Sequence, residues 1–482
     1  MDAQDRSARD SAAAAAAARS SSFGQTHFGG CVLGDQRLVK RAVSTADAML
    51  SRPSGTLPAK LHGAALTGFY DLANNVKLTH AKLIAAHTRR TLGLMGQCTG
   101  VVLVLHDTTD ADFSGLSAAA GLGQIGNGRG RGLLLHNALA VDFDRLEVLG
   151  LVGQFPHVRR TVNRKEGLAA SRAHPQRESR LWVKGVEAVG TPPPGATWVN
   201  LMDRGGDTFE SLDRQQRLGQ WYVVRSRSNR NVRVADQAGR MIRRKLHDWA
   251  RKLPPLGNRS VEVAGNHKQQ ARTAQVQVSA GPVELQVPNL KWGEHGRDAL
   301  AVWVVRVWEP APPAGQDALE WILLTNVPVV VRGLAVVEQA WERVDWYLCR
   351  PIVEELHKAL KTGCGMELMQ FTTRKALEVS IAMLSVVAVQ LLRLRDLARH
   401  DDTLQATRVV APEYVEALSL WRWNQVRPEL SARQFLAELG RMGGHRCRRG
   451  DGTPGWLVLW RGWTELQRLV DGMRLGRLQR SG

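Results

Sequence analysis

The chain has 482 residues, and its 65 lysines and arginines exceed its 45 aspartates and glutamates to give a net charge of +20. Since 44% of the residues are hydrophobic, it is predicted to form about two to four globular domains. The charge favours a polyanionic partner, either nucleic acid or an anionic membrane. We favour nucleic acid because the best membrane candidate, SIAMLSVVAVQLL from Ser380, is shorter than the ~20 residues that a span needs. We therefore predict no membrane contact and a buried helix at this stretch.

The cysteines and the first residues indicate the compartment. The cysteines are odd in number, scattered and without CxxC spacing: Cys31, Cys98, Cys349, Cys364 and Cys447. This pattern is typical of a reducing compartment, with neither a disulfide framework nor a zinc site. The opening MDAQDRSARDSAAAAAAARSSS mixes acids with arginines before a run of alanines, unlike a secretory signal. We predict a cytoplasmic protein with a disordered tail at residues 1–22.

Amphipathic helices are predicted from residue 23 to residue 90. GDQRLVKRAVSTADAML places Leu38, Ala42 and Ala46 near one face, and Asp35 is suited to cap the helix N-terminus. A second helical run, KLTHAKLIAAHTRRTLGLM, follows it. These runs predict a helical N-terminal domain.

The hydrophobic pattern then changes to that of β-strands. Strands are predicted at VVLVLHDTT, LLLHNALAV, LEVLGLVGQF, WVNLMDRGGD and WYVVRSRS. Asp107 and Asp203 stand at the ends of two of them, so each strand is expected to deliver a carboxylate to the edge of a sheet. His106, beside Asp107, is predicted to be a packed histidine rather than a metal ligand.

The rest of the chain completes a predicted α/β fold. A basic, alternating stretch at about residues 229–313 is predicted to be a β-rich insertion, and WILLTNVPV from Trp321 resumes the sheet. Beyond Lys361 the pattern is mostly helical. We predict an α/β domain at residues 91–376 and a helical C-terminal domain at residues 377–482.

The stretch YLCRPIVEELHKALKTG, residues 347–363, carries polar residues at helical spacing. At about 100° per residue, a stripe about 60° wide contains Tyr347, Arg350, Glu354 and Lys361. Such a helix can turn its apolar side to a core and the stripe to a cleft. Pro351 disfavours helical geometry in Arg350 and suits a first helical turn. The helix is therefore expected to begin at Pro351, with Tyr347 and Arg350 on its lead-in.

Asp107, Asp203 and Glu354 together predict a site for divalent cations. Taken alone, a strand-end aspartate is more often a cap or turn residue, and Glu354 would be an ordinary surface glutamate. Hard cations such as Mg²⁺ prefer carboxylate oxygens, and a pair of ions needs about three carboxylates from different elements. The joint placement of the three acids, beside a cationic stripe, favours the metal site.

These stretches resemble the DDE transposases of the cut-and-paste insertion-sequence-four family. The resemblance runs in family order from about Phe23 to Arg474, through LGDQRLVKR, HDTTDADFSG, GLGQIGNGRGRGLLLHNALAV, MDRGGDTFESL, VVRSRS, WILLTN, the Y-x2-R-x3-E-x6-K signature, SVVAVQLLRLRDL and GWLVLWRGWTELQRLVDGM. The signature, from Tyr347 to Lys361, is the most specific of these stretches.

The resemblance implies an RNase H-like catalytic core, a mixed sheet with flanking helices, in which two Mg²⁺ ions, replaceable by Mn²⁺, are bound by Asp107, Asp203 and Glu354. It implies that Trp321 stacks on an extruded base. It implies that DNA phosphates are held by Arg225, Tyr347, Arg350 and Lys361. Arginine and lysine neutralise phosphate charge, and tryptophan offers a large stacking face, so the chemistry agrees with these roles.

The resemblance also implies the function and the partners. The helical N-terminal domain would contact the inverted repeats at the transposon ends, and the C-terminal domain would form a homodimer. Such an enzyme cleaves the ends through a hairpin intermediate and joins them to target DNA, at the bacterial nucleoid. One alternative is a nuclease that stops at hydrolysis, although it would need neither helical flank. Another is a DNA-binding protein with a dead site, against which the intact set of acids speaks.

Two departures from the family pattern matter. Gly205 and Gly206 stand where the family usually has Glu-Ala, and they are expected to loosen the turn after Asp203. Pro351 stands where the family carries an aromatic residue, so a second stacking contact is not expected from this position.

Overall fold

The computed structural model describes residues 22–162, 166–263, 272–289, 292–330, 335–400, 403–448 and 454–480. The predicted tail at residues 1–22 lies outside the described residues, apart from Ser22. The Ser22 side chain caps the first helix by accepting a hydrogen bond from the Gln25 backbone N–H at 3.1 Å. The structure confirms an α/β fold with a large mixed sheet.

The N-terminal part is helical, as predicted. Asp35 caps the second helix by accepting a hydrogen bond from the Arg37 backbone N–H at 2.8 Å, and Ala42 and Ala46 on its apolar face are buried. The helices are α1 (Phe23–Phe28), α2 (Gln36–Ser51), α3 (Leu57–Lys60), α4 (Gly63–Asn74) and α5 (His80–Gln97).

The central sheet begins with β1 (Val101–Asp112), β2 (Gly123–Gln124), β3 (Arg131–Asp142), β4 (Glu147–His157), β5 (Thr197–Met202) and β6 (Trp221–Arg225). The spatial order is β4-β3-β1-β5-β6, in which β4, β3 and β1 are antiparallel neighbours and β5 and β6 continue parallel to β1. Nearly every residue of β3 is buried, because helices cover both faces of the sheet. The helices between β4 and β6 are α6 (Leu168–Ala173), α7 (Arg180–Val189) and α8 (Phe209–Arg217).

The stretch predicted as a β-rich insertion does consist mainly of strands. It contains β7 (Asn231–Ala235), β8 (Met241–Lys245), α9 (Leu246–Ala250), β9 (Gly257–Val263), β10 (Arg272–Leu285), α10 (Trp292–His295) and β11 (Leu300–Trp308). The next strand, β12 (Glu320–Thr325), pairs with β11 on one side and with β6 on the other. These strands therefore continue the central sheet.

The chain after β12 is mostly helical, as predicted. Its α-helices are α11 (Val336–Leu348), α12 (Ile352–Lys358), α13 (Arg374–His400), α14 (Pro412–Trp423), α15 (Ala432–Met442) and α16 (Trp456–Arg480).

The apolar stretch from Ser380 lies in α13, which is longer than the sequence pattern indicates. Within this 27-residue helix, the segment Arg374–Arg393 is long and apolar enough to cross a membrane by length and composition alone, so the apolar segment is longer than the sequence pattern indicated. Most of that segment is buried inside the protein, where α13 packs against α5 and β4. The predicted buried helix is confirmed.

Candidate active site

The sequence predicted Asp107 at the end of β1. In the structure it lies inside this strand. β1 continues to Asp112 because its pairing with β3 extends that far, whereas its pairing with β5 stops at His106 and Met202. The Asp107 carboxylate therefore stands where the parallel neighbour has ended. Its Oδ1 accepts a hydrogen bond from the Thr108 backbone N–H at 2.9 Å.

Asp203 follows β5 directly, as predicted, and begins a closed turn. The Gly205 N–H donates to Asp203 Oδ1 at 2.7 Å, and the Gly206 N–H donates to the Asp203 carbonyl at 3.1 Å. A Cβ atom on Gly205 would lie 2.7 Å from the Trp182 ring, and one on Gly206 would lie 2.6 Å from the Met202 Cβ. The expectation that these glycines loosen the turn was wrong, because they allow it to pack tightly.

The predicted polar helix at residues 347–363 is divided into three parts. α11 ends at Leu348, α12 begins at Ile352, and Ala359–Gly363 forms a π-helical turn. Pro351, with φ of −56°, stands directly before α12, which confirms the boundary predicted from its ring. Tyr347 and Arg350 precede α12, as predicted, and Tyr347 lies in the last turn of α11. A single stripe on one helix therefore does not exist.

The break between α11 and α12 places the Arg350 guanidinium among the three predicted acids. Its Nη1 lies 2.8 Å from Glu354 Oε1, and its Nη2 lies 3.0 Å from Asp107 Oδ2 and 3.9 Å from Asp203 Oδ2. Three carboxylates from β1, the end of β5 and α12 thus converge on one cation. The sequence predicted this convergence of acids, although it did not predict Arg350 at their centre.

The electrostatics of the cluster follow from its burial and its charges. Burial, opposed by Arg350 and reinforced by Asp203, raises the pKa of Asp107 to about 6. Burial also acts to lower the pKa of Arg350, but the attraction of Asp107 and Asp203 outweighs it and raises that pKa above its ordinary value. Three carboxyl groups face one guanidinium, so acidic groups outnumber basic ones in this cluster.

The donor set fits a hard divalent cation in type and charge. In the part of the chain that the structure describes, no three Asp, Glu, His or Cys side chains are close enough to hold a metal ion. The Arg350 guanidinium stands between the carboxylates and occupies the position of a cation. Carboxylate oxygens are the ligands that Mg²⁺ prefers, and their excess negative charge would favour its binding. Asp107, Asp203 and Glu354 could therefore hold such ions after Arg350 has moved.

Three of the predicted DNA contacts form a group beside this cluster. The rings of Trp321 and Tyr347 meet edge to face, with centroids 5.8 Å apart. The Arg225 guanidinium lies beside the Tyr347 hydroxyl and donates a hydrogen bond to the Glu320 carbonyl at 3.2 Å. Burial raises the pKa of Tyr347 and lowers that of Arg225. Tyr347 is buried and Trp321 half-buried, so the group is partly shielded from solvent.

Lys361 lies apart from the acids. Its Nζ is 3.4 Å from Glu367 Oε1, and the same carboxylate oxygen accepts a hydrogen bond from the Asp112 backbone N–H at 2.9 Å. Lys361 therefore stands near the far end of β1, away from Asp107.

His357 belongs to the site, although the sequence did not single it out. Its Nδ1 lies 3.8 Å from Asp107 Oδ2, and burial, together with Lys361 and Arg350, lowers its pKa to about 3. The available signal was its position three residues after Glu354, which puts both side chains on one side of α12. His106 is fully buried, with Nε2 2.8 Å from Asn200 Oδ1, so its predicted packed role is confirmed.

No model of a known protein family matches the chain.

Proposed function

We propose that this protein is a cut-and-paste DNA transposase. It would bind terminal inverted repeats, cleave them through a hairpin intermediate and join the 3′ ends to target DNA. The observation that carries the proposal is the convergence of Asp107, Asp203 and Glu354 on one position from three distant parts of the chain. The mixed sheet with flanking helices supports the further proposal that these acids stand on an RNase H-like core.

The acid cluster accounts for the chemistry. Asp107, Asp203 and Glu354 would hold two Mg²⁺ ions, replaceable by Mn²⁺. When bound, the ions would supply activation of a water molecule or a 3′-hydroxyl and charge stabilisation for in-line attack on phosphorus. Backbone N–H groups fix the Asp107 and Asp203 carboxylates through one oxygen each. The Glu354 side chain is 47% exposed, so it faces the side from which DNA would approach.

The cationic and aromatic residues account for DNA binding. The Arg350 guanidinium, whose N–H groups contact carboxylates in the structure, would present the same donors to a phosphate. Tyr347 and Arg225 lie beside it. Trp321 offers a ring face for stacking on an extruded base. Lys361, which lies near the far end of β1, would neutralise a more distant phosphate. The net charge of +20 attracts DNA to the whole molecule.

The C-terminal helices are proposed to join two copies into a homodimer. Large apolar side chains are exposed on or beside α14 and on α16, and burying them in an interface would be favourable. They are Leu420, Trp421, Val426, Leu469 and Leu475. The N-terminal helices would hold the inverted repeat, and the protein would act in the bacterial cytoplasm, at the nucleoid.

The test is an excision assay on a plasmid that carries the inverted repeats flanking the gene, incubated with the protein and Mg²⁺. A transposase should yield nicked, hairpin and joined products in that order. Nicks without hairpins would indicate a nuclease that stops at hydrolysis. Binding without any cleavage would indicate a DNA-binding protein with a dead site.

Substitution of the acids separates catalysis from binding. Asp107→Ala, Asp203→Ala and Glu354→Ala should each abolish cleavage and joining, because the carboxylates organise the ions and do not grip the duplex. Binding to the end DNA, measured by gel shift, should stay close to that of the unchanged protein. Asp110→Ala, on the same strand as Asp107, is the matched control and should still cleave. An acid variant that nicks at the normal rate would remove that residue from the site.

A further inference from the structure

A chain of buried side chains connects the first turn of α5 with the acid cluster. His80 Nε2 lies 2.9 Å from Gln154 Oε1, and Gln154 Nε2 lies 2.7 Å from Asn137 Oδ1. Asn137 Nδ2 lies 3.1 Å from His357 Nε2. The four side chains come from α5, β4, β3 and α12, and all are buried. The chain ends where His357 Nδ1 faces Asp107 Oδ2.

The direction of these hydrogen bonds is fixed at one point. The Leu135 carbonyl oxygen can only accept a hydrogen bond, and the Asn137 amide atom 3.2 Å from it must therefore be nitrogen. The second proton of this amide nitrogen is then donated to His357 Nε2. A ring nitrogen that accepts a hydrogen bond carries no proton, so the His357 proton is on Nδ1.

The same reasoning orders the rest of the chain. Asn137 Oδ1 must accept, so Gln154 presents its amide nitrogen, which also donates to the Ser385 hydroxyl at 2.8 Å. Gln154 Oε1 then accepts from His80, whose proton is on Nε2. Residues of α5 and α13 thus hold Gln154 and, through Asn137, set the orientation of His357.

We propose that His357 is a positioning residue for Asp107, to whose Oδ2 it presents an Nδ1–H fixed by Asn137. The inference rests on the proposed function in that Asp107 is treated as a metal ligand. The distance of 3.8 Å is too long for a hydrogen bond while Arg350 holds Oδ2 at 3.0 Å. Once Arg350 turns to a phosphate, His357 remains aimed at this oxygen and orients the carboxylate, as partners behind metal ligands commonly do.

Two substitutions show whether Nδ1 or Nε2 of His357 is the atom that matters for Asp107. The side-chain amide of asparagine takes roughly the place of Nδ1, whereas that of glutamine reaches roughly to the place of Nε2. His357→Asn can still donate to Asp107, whereas His357→Gln places its donor toward Asn137. A residue that only fills space would tolerate glutamine at least as well as asparagine.

The first measurement is the affinity of the DNA-free protein for Mn²⁺, obtained by counting free Mn²⁺ with electron paramagnetic resonance. His357→Ala and His357→Gln should weaken binding by about 10-fold or more, in the range found for outer partners of metal ligands. The Mn²⁺ affinity of His357→Asn should stay within about 3-fold of that of the unchanged protein, because asparagine keeps the donor to Asp107. Unchanged affinity in His357→Ala, or equal losses in the asparagine and glutamine variants, would overturn the proposal.

The second measurement reads the proton directly and needs no metal. In the unchanged protein labelled with ¹⁵N-histidine, the resonances that vanish in His357→Asn should show protonation at Nδ1 alone. In Asn137→Leu, which removes the donor, this pattern should be lost. A signal protonated at Nε2 in the unchanged protein would overturn the proposal even if the protein cleaves DNA. Suppose that His357 is protonated at Nδ1 and that the His357 variants show the expected Mn²⁺ affinities, but that the protein never cleaves DNA. The positioning role of His357 would then be supported and the transposase function contradicted.

Discussion

At the scale of single residues, Arg350 has two competing sets of partners. It contacts three carboxylates in the structure, and the proposed function requires it to contact DNA. Arg350→Ala should lower the free energy of unfolding by about 1–2 kcal/mol, less than for a fully buried pair because Glu354 is half exposed. Added Mg²⁺ should then stabilise the variant more than the unchanged protein, since no guanidinium competes for the carboxylates. Urea unfolding with and without Mg²⁺ measures both effects.

The control for this experiment is Arg468→Ala, which removes an exposed arginine paired with Glu465. It should change neither the stability nor the response to Mg²⁺. If Mg²⁺ stabilises Arg350→Ala and the unchanged protein equally, Arg350 does not compete with the cation.

Substitution of Trp321 tests the proposed hairpin step. Stacking on an aromatic ring is worth roughly 1–3 kcal/mol per base, and about 1.4 kcal/mol is a factor of ten in rate. Trp321→Ala should therefore slow hairpin formation by about tenfold or more, with first-strand nicking near normal. Pro351 supplies no second ring, so the dependence on Trp321 should be strong. A time course on a labelled end duplex with Mg²⁺ resolves the two steps.

The structure makes a matched control necessary, because Trp321 also packs against Tyr347. Trp303→Ala removes another half-buried tryptophan, from the neighbouring strand β11. It should cost similar stability without a selective loss of hairpins. Equal losses at nicking and hairpin formation in Trp321→Ala would indicate a core residue.

The candidate site could be predicted in part from the sequence because its acids stand beside recognisable strands and helices. Asp203 was placed correctly, since an apolar run marks the end of β5. Arg350 at the centre of the acids could not be predicted, because its position depends on how two helices meet in space. His357 was missed for a related reason, since its partner Asn137 lies 220 positions away along the chain.

At the scale of elements, the contact of α7 with the sheet depends on Gly185. A Cβ atom at this position would lie 2.6 Å from His106 Nδ1 and 2.8 Å from His136 Nε2. His106 directly precedes Asp107, and His136 is hydrogen-bonded to Thr108 on its other side. Gly185→Ala should cost about 1–3 kcal/mol through overpacking and slow cleavage by disturbing β1. Urea unfolding and the nicking rate are the two measurements.

Gly93 is the matched control, because it is also a helical glycine but has no heavy atom within 4 Å of an added Cβ. Gly93→Ala should stabilise the protein by about 0.5–1 kcal/mol, since alanine loses less backbone entropy on folding. If Gly185→Ala is equally stabilising, α7 can move away from the sheet without cost.

The elements themselves were predictable where one local signal dominated. The strands around Asp107 and Asp203 and the Asp35 cap follow from hydrophobic pattern and capping chemistry. The extra length of β1 follows from its pairing with β3, and the pairing of β12 with both β6 and β11 joins segments distant in sequence. Such long-range pairing leaves no periodicity within a single stretch, so the strands of the insertion could not be placed in the main sheet.

At the scale of the whole molecule, buried histidines should make the fold sensitive to acid. Burial is the main cause that lowers the pKa of six histidines. The pKa falls to about 3 in His27 and His357, to about 4 in His80 and His106, and well below its ordinary value in His87 and His136. Well above pH 6.5 these rings are neutral in both the folded and the unfolded state. As the pH falls below 6.5, the unfolded chain binds protons that the folded protein cannot bind, so stability decreases towards about pH 4.

Each of these histidines should lower the free energy of unfolding by about 1 kcal/mol when the pH falls from 7.5 to 5.5. Asp107 acts in the opposite direction, because its raised pKa of about 6 lets the folded protein bind a proton that the unfolded chain does not. Urea unfolding at the two pH values should show a net loss of several kcal/mol. His80→Gln should reduce that loss by about 1 kcal/mol, by the same linkage. If the free energy of unfolding of His80→Gln depends on pH as steeply as that of the unchanged protein, the prediction is wrong.

The pairing of β6 with β12 has a consequence for the making of the protein. β6 ends at Arg225 and β12 begins at Glu320, so 94 residues, 226–319, are synthesised between two strands that lie side by side. At ~5–20 residues per second, a ribosome needs on the order of 5–20 seconds for this length. During that interval β6 has a free hydrogen-bonding edge, which invites wrong partners. The growing chain is therefore exposed to aggregation through the β6 edge while this segment is being translated, and chaperones would be needed in that interval.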